Sequence, residues 1–109
     1  MYLGMTMSKT ANQDIKQLRA IGHKLKPVVT IAGNGLTEGV LSELDRALSD
    51  HELIKIKLAV GSRQARAEIT RDICDRSGAE LIQGIGNVAL LLRRSARPDP
   101  RLSNLIRPL

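Results

Sequence analysis

Residues 28–60 read VVTIAGNGLTEGVLSELDRALSDHELIKIKLAV, and the architecture follows from them. Val28-Val29-Thr30-Ile31-Ala32 is β-branched and mostly apolar, which predicts a buried strand. Gly33-Asn34-Gly35 predicts a tight turn with positive φ. Thr37 to Ser49 then places Val40, Leu41, Leu44, Ala47 and Leu48 at helical spacing, with Thr37 as N-cap and Glu38 in the first turn. From Leu53 to Val60 the period changes to two. Ile54, Ile56 and Leu58 point one way; Lys55, Lys57 and Ala59 point the other. The stretch is therefore a strand, a helix and a second strand, and the second strand has one covered face and one wet, basic face.

Before this unit, Lys9 to Gly22 predicts a helix with Ala11, Ile15, Leu18 and Ile21 as its apolar stripe, capped by Ser8 or Thr10. Pro27 stops helix continuation through the basic connector His23-Lys24-Leu25-Lys26. After it, Ser62 caps a third helix reaching Ser77, with Ala65, Ile69 and Ile73 inward and Gly78 as the stop. Glu80 to Ile85, the turn Gly86-Asn87 and Val88 to Arg93 predict a hairpin. The last strand is almost continuously apolar, hence central. The order α-β-α-β-α-β-β contains two crossovers. With one handedness, these put their helices on the same face of a four-stranded mixed sheet. The expected fold is an α/β two-layer sandwich with an open face carrying Lys55 and Lys57. Residues 1–8 read as a leader, 9–94 as the domain, and 95–109, with Pro98, Pro100 and Pro108, as a flexible arm.

The chain has 109 residues, one domain's worth, and a net charge of +6. The charge is segregated. Residues 9–27 carry +4, residues 28–54 carry −4, and the two later quarters carry +3 each. Segregation of this kind suggests a basic surface for a polyanion, interrupted by one acidic element. The chain has no Phe, no Trp and one Tyr, which argues against a site built on aromatic stacking. A single Cys, Cys74, excludes an internal disulfide and a cysteine-based zinc site. No apolar run approaches the length of a membrane helix, and no secretion signal opens the chain, so the expected location is the cytoplasm, away from membranes.

Two local patterns are candidate sites. The Gly33-Asn34-Gly35 turn joins a strand to a helix N-terminus, where free N–H groups and the helix dipole favour an anion. Neither GxxxxGK[ST] nor GxGxxG is present, which argues against a nucleotide-triphosphate or dinucleotide site. Arg63 and Arg66 share one face of the third helix and extend the cationic set. Asp50-His51-Glu52 is the only cluster with catalytic residue types. Consecutive side chains diverge, however, and no nucleophile or metal-ligand pattern accompanies them. The expectation is no catalytic residue, no metal and no cofactor.

Three blocks in order, LKPVV at residues 25–29, NGLTEGV at 34–40 and HELIK at 51–55, resemble the CRM domain family, named for chloroplast RNA splicing and ribosome maturation. The likeness is strongest to its stand-alone bacterial YhbY-type members and covers roughly residues 12–94. It implies a fold similar to the C-terminal domain of translation initiation factor three. It implies RNA binding through a GxxG loop at residues 32–35, where this chain has Ala32 in place of the first glycine. It also implies a ribosome assembly factor acting on rRNA of the precursor large subunit, with ribosomal proteins as further partners. The resulting expectation is a non-catalytic protein. The Gly33, Asn34 and Gly35 backbone grips phosphates, and Lys24, Lys26, Lys55, Lys57, Arg63 and Arg66 supply the cations. The alternatives are a small RNA-processing enzyme using His51 and a module binding only ribosomal proteins through the acidic helix.

Overall fold

The computed structural model describes residues 12–109. Its elements are α1 (Asn12–Gly22), β1 (Pro27–Ile31), α2 (Glu38–His51), β2 (Leu53–Leu58), α3 (Arg63–Ser77), β3 (Glu80–Ile85) and β4 (Val88–Leu92). The expected α/β order with a four-stranded mixed sheet is what the chain adopts. The expected start of α1 at Lys9, its caps and the 1–8 leader lie outside the described residues.

The sheet runs β1-β2-β4-β3. β1 is parallel to β2, and β4 is antiparallel to both its neighbours. Both crossovers therefore step across the sheet in the same direction. As that requires, α2 and α3 share a face: Leu44, Leu48 and Ile73 are buried against Val29, Ile31, Ile54, Ile56, Leu58, Ala89 and Leu91. The cap residues read from the sequence hold both helices. Thr37 Oγ1 accepts from Val40 N at 3.1 Å, and Ser62 Oγ accepts from Ala65 N at 3.0 Å. Each such cap stabilises its helix by about 1 kcal/mol. Gly78 ends α3 at φ 76°. Gly86, at φ 58°, opens the hairpin turn; Asn87 has no positive φ, the pattern of a II′ turn.

Three expectations change. β1 is an edge strand, and only Val29 and Ile31 are buried in it; Val28 is half exposed. The second sheet face is open only in part. The apolar stripe of α1 needs a surface, and Leu18 packs on Leu53, Ile82, Leu90 and Leu92, with Ile15, Ile21 and Leu25 around them. Gly22 permits this close approach: a Cβ there would lie 2.7 Å from Leu90 Cδ2. Finally, the 95–109 segment is docked rather than free. Ser103 and Asn104 are buried. Asn104 Nδ2 donates to Leu53 O at 2.7 Å, Asn104 N donates to His51 O at 2.9 Å, and Leu105 joins the cluster beneath α1.

Candidate functional site

The strand directions place three connections at one end of the sheet: the loop after Ile31, the loop after Leu58, and the Gly86-Asn87 turn. Backbone bonds tie them together. Ala59 N donates to Ile31 O at 2.7 Å, and Leu58 N donates to Asn87 O at 2.6 Å. Both α2 and α3 begin at this end, so two helix N-termini, each with one of its first N–H groups held by its cap residue, open at the same end of the sheet as the glycine loop.

Within that loop, Gly35 N donates to Ala32 O at 2.9 Å, closing a turn over Gly33 and Asn34. The expected turn with positive φ is present, and Gly35 is the residue that carries it, at 72°; Gly33 and Asn34 do not. The φ of Ala32 is not positive either, so its Cβ is accommodated where the family resemblance has glycine. Ala32, Gly33 and Asn34 are all exposed, and a Cβ built on Gly33 would meet nothing within 4 Å. The loop is thus an open backbone surface at the mouth of α2.

The six candidate cations do not share one face. Lys55 and Lys57 stand on the α1 side of β2. Lys57 pairs with Thr30 on one side and Val88 on the other, and its side chain is exposed. Lys55 lies between Pro27 and Leu90 and is half-buried beside the end of α1. Lys24 and Lys26 are exposed in the α1–β1 connector, which delivers the chain to Pro27. Lys24 and Lys26 thus precede the start of β1, at the opposite end of that strand from the glycine loop. Arg63 and Arg66 lie across the sheet, in the first turns of α3. Arg66 Nη1 donates to Val60 O at 3.1 Å and braces the β2–α3 loop. With Arg71 they line a groove of about 730 Å³ between α3 and the β3–β4 hairpin. Cys74 lies in the same groove, and its thiol pKa is raised by burial, with the Asp75 and Glu80 carboxylates adding to the effect. The reactive thiolate is therefore disfavoured there.

Asp50-His51-Glu52 sits at the opposite end of the sheet from the glycine loop. Its side chains diverge, as read from their adjacency. His51 Nδ1 donates to Leu102 O at 2.8 Å. The Glu52 carboxylate accepts from Ser95 N at 2.5 Å and from Ser103 Oγ at 2.7 Å. The cluster holds the C-terminal segment. Among the described residues, no group of three His, Cys, Asp or Glu side chains converges as metal ligands. No helix among them is long and apolar enough to cross a membrane.

Sequence reasoning missed Arg93. Its guanidinium donates to Asp45 Oδ1 at 2.9 Å, Ser77 O at 2.9 Å, Asp45 O at 3.0 Å and Ser49 Oγ at 2.8 Å. It joins β4 to α2 and to the end of α3 and is a structural fork, although its charge counts toward the basic total. No local pattern in the sequence signals this.

A probable RNA-binding protein of Pseudomonas aeruginosa is 52% identical over 92 residues, covering 84% of this chain and 88% of the relative. An RNA-binding protein of Haemophilus influenzae is 40% identical over 89 residues, covering 82% of this chain and 90% of the relative. The solution structure of a Staphylococcus aureus protein superposes with TM-score 0.70 at 24% identity, over 80% of this chain and 91% of that one, and so shares the fold. The model of the CRS1 / YhbY (CRM) domain matches residues 11–93. On the match of residues 11–93 and these two relatives, the chain belongs to the CRS1 / YhbY (CRM) domain family.

Proposed function

We propose that this chain is an RNA-binding protein that performs no catalysis of its own and grips structured RNA by its phosphates. The observation that supports the reading is the pair Lys55 and Lys57 on the α1 side of β2, with exposed Lys24 and Lys26 in the connector that enters β1. The open Gly33-Asn34-Gly35 backbone lies at the C-terminal end of β1, in a family whose sequenced relatives are named for RNA binding. Phosphate contacts fix position, and backbone N–H groups at a helix mouth add anion affinity without base reading. Arg63 and Arg66 extend the contact around the end of the sheet. The substrate is rRNA of the precursor large ribosomal subunit in the cytoplasm. The exposed Glu38 and Glu43 of acidic α2 turn toward basic ribosomal proteins there. His51, spent on the C-terminal segment, has no part in the chemistry.

The double substitution Lys55→Glu and Lys57→Glu tests this in a gel-shift assay with rRNA transcripts. Binding is expected to weaken at least tenfold while the circular dichroism spectrum stays that of the parent. Unchanged affinity in a folded variant removes the lysine face from the site. Co-sedimentation with large-subunit precursors, and not with mature subunits alone, tests the assembly role.

A further inference from the structure

A cleft of about 330 Å³ opens on the lysine side of the sheet, under the C-terminal end of α1. Its floor is apolar, made by Val88 and Leu90. Its polar groups are His23, Lys55 and Gln83, and Pro27 closes one side. No carboxylate lines it. The shape depends on Gly22, whose missing side chain lets the helix end sit directly on Leu90. His23 is fixed by its own backbone, with His23 N donating to Arg19 O at 3.1 Å, and its ring is exposed at the mouth. Ile85, also at the cleft, is 61% exposed.

A surface that met phosphate alone would be a field of cations. This one combines an apolar floor, a proline, an exposed isoleucine, an imidazole ring and a half-buried primary amide, with Lys55 beside them. Flat apolar walls with a few convergent polar groups suit a small planar ligand, and the volume lies at the lower end of the roughly 300–1,000 Å³ range of such pockets. Unpaired RNA bases are held by stacking on rings, including His, and by hydrogen bonds to their edges. The Gln83 amide offers both a donor and an acceptor to such an edge. The chain has only three rings besides proline, Tyr2, His23 and His51. His51 is committed to Leu102 O, whereas His23 faces this cleft.

We infer that the cleft receives one unpaired nucleobase of the bound RNA, with His23 and Pro27 against its faces, Gln83 at its edge and Lys55 beside its phosphate or carbonyl oxygen. The inference rests on the RNA-binding reading above and adds to it a preference for bulged or looped RNA over continuous duplex.

The test compares two RNAs with the same stem, one carrying a single bulged 4-thiouridine and one perfectly paired, against the parent protein, Gln83→Ala and His23→Ala. The parent is expected to bind the bulged RNA about tenfold more tightly than the duplex, the scale of one stacked base. Each substitution is expected to abolish that preference and leave duplex affinity unchanged. Irradiation is expected to crosslink the thiouridine to peptides spanning 23–27 or 83–90. Equal affinity of the parent for both RNAs, preference retained in both variants, or crosslinks confined to other peptides would overturn the inference while leaving RNA binding in place. Failure of the parent to bind either RNA overturns both readings. His23 is exposed, so its variant carries the test if Gln83→Ala does not fold.

Discussion

Gly33 and Gly35 sit two positions apart in one exposed loop and do different jobs. Gly35 holds φ at 72° and closes the turn onto Ala32 O; Gly33 has no positive φ and open space around it. Gly35→Ala is expected to cost about 1 kcal/mol of stability, the penalty of a left-handed L-residue. Gly33→Ala is expected to be neutral or to stabilise by up to about 1 kcal/mol, by restricting the unfolded chain. If phosphate approaches the loop backbone, Gly33→Ala nevertheless weakens RNA binding severalfold, because its methyl occupies the approach. Urea denaturation and gel shift, read together, separate the two effects. The triplet was readable in the sequence as a turn, because glycine and asparagine favour one. Which glycine carries the strain was not readable, because that depends on the path into α2. Arg93 was beyond reach for a plainer reason: its acceptors lie 16 to 48 positions away in the chain.

Elements were read more reliably than their surroundings. The alternation of Leu53–Leu58 fixed which side chains share a face, and the uninterrupted apolar run of Val88–Leu92 correctly gave a central strand. The caps Thr37, Ser62 and Gly78 were local signals and fell where expected. The stripe on α1 was equally clear, but periodicity says only that a face must be buried, not against what. Here it covers Leu53, Leu90 and Leu92, side chains whose burial on that side the two lysines of β2 disguise. The separation of Arg63 and Arg66 from the lysines has the same origin, since it depends on which sheet face each element takes. Docking of α1 hinges on Gly22. Gly22→Val is expected to lose about 1–3 kcal/mol through overpacking against Leu90, seen as a lower urea midpoint with an unchanged slope.

For the molecule as a whole, charge is laid out by element. The side of the sheet bearing Lys55 and Lys57 is cationic, and across the sheet the carboxylate-rich α2 lies beside α3, which carries Arg63, Arg66, Arg71 and Arg76. A protein that holds RNA mainly through phosphates displaces counterions, so affinity is expected to fall linearly on a logarithmic salt scale. Replacing Lys55 and Lys57 by alanine is expected to reduce that slope by about 2, one unit for each lost phosphate contact. Filter binding across a salt series measures it. An unchanged slope with weaker binding would mean that the lysines act on the shape of the sheet face and not on phosphate.

The junction at Glu52 bears on how the molecule is made. This residue holds φ at 60°, an uncommon conformation for a side chain of its size, and its carboxylate is buried against Ser95 N and Ser103 Oγ. The ribosome delivers the chain from its N-terminus, so all four strands exist before either partner has been synthesised. A chain truncated after Leu92 would hold the residues of every strand but neither group that Glu52 accepts from, leaving a buried carboxylate without its partners.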